Sequence, residues 1–386
     1  MGQEKIATQS AVPAATNSEP LLTPSPAVTD GPPADPALPE VPYRGLRWIF
    51  IGSQGLRAGW SVLVFFLIFV PLNIGIDAVL FHFHLMSKTD QFSPRSAFFS
   101  EVGGLLALLV SVALVGLIEG RRILAYNLTG PRRSQHFFFG LGAGFLALSA
   151  LVGALAAGGW LHFGAVTLSG SAVFRFALFW GCVFLVVGCV EEGMFRCYLL
   201  FTLTRGINFW WASGILAIVC AYQAIFVGGT ASWGVYLTAL LGFFPCLLLN
   251  QRAAPRSGFW CAAWVTSTMF GFVHVGNPGE AWIGIFAAAF IGFVFCVSIR
   301  VTGSAWWAIG CHAAWDWAET FFYGTADSGI TPHGSYLTST PAGNPLWSGG
   351  DVGPEGSLLV LGAILFLLAL VLVYGRWSAR VAPDAA

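Results

Sequence analysis

The sequence predicts an all-α polytopic membrane protein, and two observations support this prediction. Of the 386 residues, 56% are hydrophobic and only 9% are charged, with 34 Phe and 16 Trp. A soluble chain of this length needs a charged, water-facing shell, which so few charged residues cannot supply. Apolar segments also recur along the chain, each close to the roughly 20 residues with which an α-helix crosses about 30 Å of hydrocarbon.

Ten apolar segments are each predicted to form a transmembrane helix, because backbone facing lipid must satisfy its own hydrogen bonds. They cover residues 60–80, 98–118, 137–160, 173–200, 209–227, 233–249, 258–274, 282–299, 304–323 and 357–374. We therefore predict one integral membrane domain over residues 46–376. A short cytoplasmic tail is predicted at 377–386. Residues 1–45 are rich in Pro, Ala and Ser and are predicted to form a disordered cytoplasmic tail.

The basic residues predict the orientation of this bundle. All 18 Lys and Arg residues fall on one side of the ten-segment topology, except Lys88, Arg95, Arg175 and Arg196. By the positive-inside rule, both termini are expected to be cytoplasmic. The long loop at about 324–356 then lies on the other side, contains no Lys or Arg, and is expected to be ordered only in part. Because the net charge is zero and no basic run occurs, nucleic acid is excluded as a partner and membrane lipid is expected.

Three short polar strings lie inside the apolar segments: EEGMFR at 191–196, FGFVH at 270–274 and HAAWD at 312–316. An ionisable group inside a bilayer costs roughly 2.5 to 3.5 kcal/mol, so their recurrence indicates a polar site. Glu192 and Arg196 are four residues apart on one helix face and are predicted to form an ion pair. Glu191 points to another face and is predicted to be unpaired, which suits a general base or acid.

The two histidines extend this candidate site to other helices. His274 and His312 lie on different predicted helices, and Asp316 follows His312 by four residues, so all three can face one bundle interior. An imidazole there could orient water or carry a proton. A purely structural role in anchoring helices is the alternative. Glu191, His274 and His312 would also be a zinc ligand set, but no HExxH motif occurs and we expect no obligatory metal.

Other acids in or next to the apolar segments are not predicted to take part in the chemistry of the site. Glu319 follows Asp316 by three residues and is expected only to add to the polar lining. Glu101 and Glu119 lie near the ends of their predicted segment and are expected to be in water.

The three strings resemble the EExxxR, FxxxH and HxxxN/D motifs of the CAAX-protease and bacteriocin-processing family of intramembrane endopeptidases. The resemblance covers about residues 173–322. It implies a conical helix bundle with an intramembrane polar cavity. It also implies that Glu191 activates water, that His274 is its partner and that His312 with Asp316 stabilises the oxyanion. Glu192 and Arg196 would then be supporting residues.

The chain departs from the family pattern in two places. Asp316 stands where Asn is common, and a carboxyl group can donate a hydrogen bond only when protonated. Residues 207–256 add two predicted helices between the first two motifs. This even number preserves the antiparallel relation of the flanking helices. The predicted boundaries nevertheless place Glu191 and His274 at different depths.

The resemblance implies a function, and the residues leave an alternative open. We expect an intramembrane endopeptidase that hydrolyses a membrane-associated peptide, such as a prenylated CAAX-type or leader peptide, through glutamate-activated water. The alternative is a non-proteolytic membrane scaffold or a transporter that uses the same polar cluster. The expected location is the plasma (inner) membrane of a bacterium.

Overall fold

The computed structural model describes residues 47–52, 54–87, 93–277, 279–331 and 333–381. The predicted tail at 1–45 lies outside the described residues. The predicted tail at 377–386 is described only as far as residue 381. Residues 377–381 continue the last helix.

Thirteen α-helices make up most of the described residues. They are α1 (Arg47–Phe50), α2 (Ala58–His82), α3 (Pro94–Glu119), α4 (Arg133–Ala157), α5 (Ser171–Glu192), α6 (Leu200–Thr204), α7 (Phe209–Tyr222), α8 (Ser232–Gln251), α9 (Ser257–His274), α10 (Trp282–Thr302), α11 (Trp306–Trp317), α12 (Pro345–Ser348) and α13 (Val360–Val381). Three π-helical segments continue α5, α7 and α11, at Gly193–Leu199, Gln223–Val227 and Ala318–Tyr323. Single 3₁₀ turns occur at Ile123–Ala125, Gly350–Val352 and Pro354–Gly356.

All ten predicted segments are helical, and the prediction of an all-α polytopic membrane protein is confirmed. Eight helical stretches of the described chain are long and apolar enough to cross a membrane. They are Ala58–His82, Pro94–Glu119, Arg133–Ala157, Ser171–Thr204, Phe209–Val227, Ser232–Gln251, Trp282–Thr302 and Val360–Ser378. The other two predicted segments are α9 and α11, which carry the second and third polar strings. Many residues of both helices are buried inside the bundle.

Local sequence signals explain several helix ends. The Ser93 hydroxyl accepts a hydrogen bond from the Ser96 N–H and Pro94 occupies the first turn, so α3 begins there. Asn208 caps α7 in the same way through the Trp211 N–H. Gly120 ends α3 in a left-handed conformation that favours glycine.

Helices α4 and α11 pack backbone to backbone, which places the third polar string. A methyl group on Gly140 would lie 2.2 Å from the Trp307 carbonyl oxygen, and one on Gly144 would lie 2.1 Å from that of Cys311. Small residues at four-residue spacing allow membrane helices to approach this closely. The register of α11, and with it the position of His312, therefore depends on these glycines.

We expect Gly144→Ala to destabilise the protein by about 1–3 kcal/mol, because the added methyl group overpacks a rigid backbone contact. Gly142 is the matched control on the same helix, since a methyl group there would meet nothing within 4 Å. Gly142→Ala should be neutral or stabilising by about 0.5–1 kcal/mol. Thermal unfolding of both variants in detergent measures the difference, and equal melting temperatures would contradict this account of α4 and α11.

The loop after α11 contains more regular structure than the sequence predicts. Its strand β4 (Leu337–Pro341) pairs antiparallel with β3 (Leu161–Val166), which follows α4. Leu161 pairs with Pro341 and Val166 with Leu337, with an irregularity between Phe163 and Val166. A second, minimal hairpin joins β1 (Ile51–Gly52) to β2 (Gly55–Leu56). The sequence did not predict strand β4, because pairing with a distant segment is invisible to local patterns.

Candidate active site

A cavity of about 350 Å³ lies inside the bundle, and the four predicted catalytic residues all line it. Glu191 comes from α5, His274 from the end of α9, and His312 and Asp316 from α11. Glu191 and His274 line this one cavity despite the depth difference predicted between them. Helix α5 runs on through its π-helical segment to Thr204, so Glu191 lies well inside a helical stretch of 34 residues. π-Helical segments occur frequently at functional sites.

The ion pair predicted from the spacing of Glu192 and Arg196 is present. Arg196 Nη1 lies 3.2 Å from Glu192 Oε1, and both side chains are fully buried. The guanidinium group also lies over the ring of Phe270, 4.2 Å from its centroid. A methyl group on Gly292 would lie 2.2 Å from Arg196 Nη2, so this glycine makes room for the guanidinium group. Gly292 and the ring of Phe270 thus surround the buried guanidinium group of Arg196.

His312 lies at the centre of the cluster and contacts three carboxyl groups. Its Nδ1 lies 2.9 Å from Glu192 Oε1. An ionised carboxylate only accepts hydrogen bonds, so Nδ1 carries the hydrogen. Its Nε2 faces the cavity, 3.5 Å from Asp316 Oδ2 and 3.8 Å from Glu191 Oε2. Glu192, predicted only as support, therefore also orients the ring whose other nitrogen faces Glu191.

Glu191 differs from its neighbour Glu192 in both exposure and contacts. Its side chain is 32% exposed, and its Oε2 accepts no hydrogen bond from any described residue. The prediction that Glu191 is unpaired is correct with respect to Arg196 but overlooks His312, which approaches to 3.8 Å from another helix. Because the side chain is partly exposed and lines the cavity, its carboxylate can accept a proton from water there.

His274 lines the same cavity from α9. Its Nδ1 lies 2.7 Å from the carbonyl oxygen of Phe270, one turn earlier, so Nδ1 donates and Nε2 is left to accept. Among the described residues, no hydrogen bond or ion pair joins His274 to Glu191, His312 or Asp316. The structure therefore brings Glu191, His312 and Asp316 together directly, and His274 lines the same cavity without such a contact among the described residues.

Sequence reasoning missed several acids that share this cavity. Glu101 lines it from α3, although we expected it in water. Its position within an apolar segment was the available signal. Glu119 is also buried, because it pairs with Arg205 at 2.9 Å and Arg121 at 3.3 Å. Three more lining acids come from connecting segments, where nothing in the local sequence indicates that they reach the cavity; they are Glu280, Asp327 and Glu355.

Among the described residues, one group of three acidic side chains is close enough to share a metal ion. The ligand oxygens of Glu319, Asp327 and Glu355 lie within 4.8 Å of one another. The predicted zinc alternative, Glu191 with His274 and His312, does not form such a group in the described part of the chain.

Glu280 carries a testable pH dependence. Its pKa is raised from 4.5 to about 7, mainly by burial and to a smaller extent by the Glu355 carboxylate, while the hydrogen bond from the Ala281 N–H partly opposes the rise. An acid whose pKa is higher when folded stabilises the fold fully below about pH 4.5 and loses this contribution as the pH rises to about 7. We expect Glu280→Gln to be more stable than the wild type by about 1–3 kcal/mol at pH 8 and equal to it near pH 4.5.

Thermal unfolding in detergent at both pH values, with divalent cations chelated, measures the Glu280 effect. Asp351→Asn, which removes an exposed carboxylate near the same loop, is the control. A pH-independent difference between Glu280→Gln and the wild type would contradict the prediction.

The fold and these contacts define a polytopic membrane protein with a Glu–His–Asp group on the wall of an internal cavity. Residues 243–318 match the model of the family described as type II CAAX prenyl endopeptidase Rce1-like. The resemblance to CAAX proteases predicted from the three motifs is thereby confirmed. The matched segment includes His274, His312 and Asp316, whereas Glu191 precedes it. No curated protein and no solved structure matches the chain.

Proposed function

We propose that the protein is an intramembrane endopeptidase in which Glu191 activates the water that attacks a peptide bond. The observation that supports this most strongly is the meeting of Glu191 and Asp316 at one ring nitrogen of His312, on the wall of a 350 Å³ cavity. The match to a family of proteases supports the same reaction class. From the distribution of basic residues we further infer that both termini are cytoplasmic, and we propose the bacterial plasma membrane as the location.

In the proposed reaction, Glu191 takes a proton from water as the water oxygen attacks the carbonyl carbon of the peptide bond. The carbonyl oxygen becomes an oxyanion, and an N–H of His312 at Nε2 or a protonated Asp316 donates a hydrogen bond to it. Glu191 then passes its proton to the leaving nitrogen as the C–N bond breaks. The products are one peptide with a new carboxylate and one with a new amine, and Glu191 is regenerated.

The remaining polar residues of the proposed site orient the reacting groups or balance their charges. The carboxylate of Glu192 holds the hydrogen of His312 on Nδ1 and so directs Nε2 toward the reacting atoms. His274 lines the same cavity, and its Nε2 would accept a hydrogen bond from the water or the substrate. Arg196 balances the charge of Glu192 and is not among the residues that line the cavity.

The walls of the cavity favour a substrate with an apolar or lipidated segment. Side chains of Trp180, Phe184, Ile291 and Phe295 line it beside the polar cluster. Binding sites of this size commonly combine apolar walls with a few placed polar groups. We therefore propose a membrane-associated peptide as the substrate, with a prenylated CAAX-type tail and a leader peptide as the two classes to compare.

The test is cleavage of a mixed library of prenylated, acylated and unmodified membrane peptides by the purified protein in detergent, followed by mass spectrometry. We expect wild-type cleavage that Glu191→Ala lacks and that survives phenanthroline, a zinc chelator, with calcium present. Cleavage that phenanthroline abolishes would reassign His274 and His312 as zinc ligands. If folded wild type cleaves no peptide of any class, the protease proposal fails and solute transport by the same cluster becomes the better explanation.

A further inference from the structure

A second group of acids lies in the bundle beyond the residues assigned to the reaction. Glu319 belongs to the π-helical segment after α11, Asp327 lies near the start of the loop that follows, and Glu355 lies near its end, shortly before α13. Their carboxylate oxygens lie within 4.8 Å of one another. We call these three residues the acidic cluster. It joins segments that are far apart in the chain and helps to form one wall of the cavity, through Asp327 and Glu355.

No basic side chain balances this cluster in the described part of the chain. The hydrogen-bond partners of Asp327 and Glu355 are neutral: Thr320 Oγ1 donates to Asp327 Oδ2 at 3.0 Å, and Ser328 Oγ donates to Glu355 Oε2 at 2.9 Å. Trp315 Nε1 donates to Glu355 Oε1 at 2.8 Å. The whole loop at 324–356 contains no Lys or Arg. Neutral donors leave the mutual repulsion of three carboxylates in place.

Glu319 provides an independent indication of a missing partner. Its side chain is fully buried, and neither Oε1 nor Oε2 has a hydrogen-bond partner among the described residues. Burying an unpaired carboxylate is among the most costly arrangements in a protein. Because a Glu319 oxygen lies within 4.8 Å of the oxygens of Asp327 and Glu355, the unsatisfied group is directed into the cluster. A bound cation that ligates oxygen would satisfy Glu319 and offset the charge of its two neighbours.

We propose that the acidic cluster binds a hard divalent cation, Ca²⁺, which ties both ends of the loop at 324–356 to the helix that carries His312. Carboxylates are the ligands that Ca²⁺ prefers, whereas softer metals favour the Cys and His side chains that the cluster lacks. Two oxygens up to 4.8 Å apart can share one ion at the roughly 2.3–2.6 Å bond length of Ca²⁺. The shorter bonds of Mg²⁺ and its demand for an octahedron fit less well.

The cation site is separate from the proposed hydrolytic chemistry. None of its three residues contacts His312 or Glu191 through a hydrogen bond or an ion pair in the described structure. This holds even though Glu319 is close in sequence to the proposed site, three residues after Asp316. The bound ion would hold a wall of the cavity in place. Its presence can therefore be tested without any substrate, and the result does not depend on whether the protein is a protease.

The experiment uses TbCl₃ as a luminescent probe of the site in the full-length protein, after removal of divalent cations. Trp315 donates to Glu355, so a Tb³⁺ ion bound there lies next to an indole ring that can transfer excitation energy to it. We expect saturable, tryptophan-sensitised luminescence that CaCl₂ displaces. Glu319→Gln should weaken CaCl₂ binding by about tenfold or more, because one of three charged ligands is lost. Glu101→Gln, which removes a cavity acid on α3 outside the cluster, should bind as the wild type does.

A second measurement keeps the proposal falsifiable if Glu319→Gln binds poorly for other reasons. Without divalent cations, Glu319→Gln should melt above the wild type, because one repelling charge is gone. With CaCl₂, this difference should shrink or reverse, since the wild type binds the ion more tightly and gains more stability from it. Trp315→Phe should lose the sensitised luminescence but retain Tb³⁺ when the ion is excited directly. Equal CaCl₂ binding by the wild type and Glu319→Gln, or no CaCl₂ effect on wild-type melting, would overturn the proposal.

Discussion

Glu191→Gln is expected to lower kcat by about 10²–10⁴-fold, the usual contribution of a general base, while the melting temperature stays close to that of the wild type. The substitution keeps the shape of the side chain but removes its ability to take a proton from water. Little stability should be lost, because Glu191 Oε2 accepts no hydrogen bond from a described residue and the side chain is 32% exposed. Steady-state kinetics on a peptide identified in the library screen, together with thermal unfolding, measures both effects.

Glu192 offers a matched control for this prediction, since it is the same residue type at the next position. Its side chain is fully buried and shared between Arg196 and His312. Glu192→Gln should therefore lower the melting temperature strongly, which Glu191→Gln should not do. If Glu191→Gln retains wild-type kcat, Glu191 is not the base. If it unfolds as readily as Glu192→Gln, its role is structural.

The helices of this protein could be predicted from the sequence because apolar length is a local property. Each of the ten predicted segments corresponds to a helix, including the added pair α7 and α8. The Glu192–Arg196 ion pair could also be predicted, since four-residue spacing on a helix fixes which side chains are neighbours. Predictions of this kind need no knowledge of how helices pack.

The parts that could not be predicted all depend on contacts between distant segments. The hydrogen bond of His312 to Glu192 joins residues 120 positions apart, so the sequence alone assigned Glu192 to support and left Glu191 unpaired. The acidic cluster combines a helix residue with two loop residues, and no spacing rule links them. The π-helical continuation of α5, which extends the helix that carries Glu191, likewise has no clear sequence signature.

Arg196→Met is expected to destabilise the protein by about 3–5 kcal/mol, the usual cost of removing one partner from a buried ion pair. Arg196 and Glu192 are both fully buried, so the remaining carboxylate would keep its charge without its counter-ion. The contact of the guanidinium group with the ring of Phe270 would also be lost. Arg175→Met removes an exposed arginine from the same helix and should change stability by no more than about 0.5 kcal/mol.

The double variant Glu192→Gln/Arg196→Met separates charge from packing in this prediction. If the cost of Arg196→Met comes from the unpaired carboxylate, neutralising Glu192 as well should recover part of the lost stability. Chemical unfolding of the wild type, the two single variants and the double variant in detergent gives the four free energies of unfolding that this double-mutant cycle requires. A double variant whose loss equals the sum of the single losses would show that the pair is uncoupled. The charge of Glu192 would then be held by His312 alone, and the orientation of that ring would not depend on Arg196.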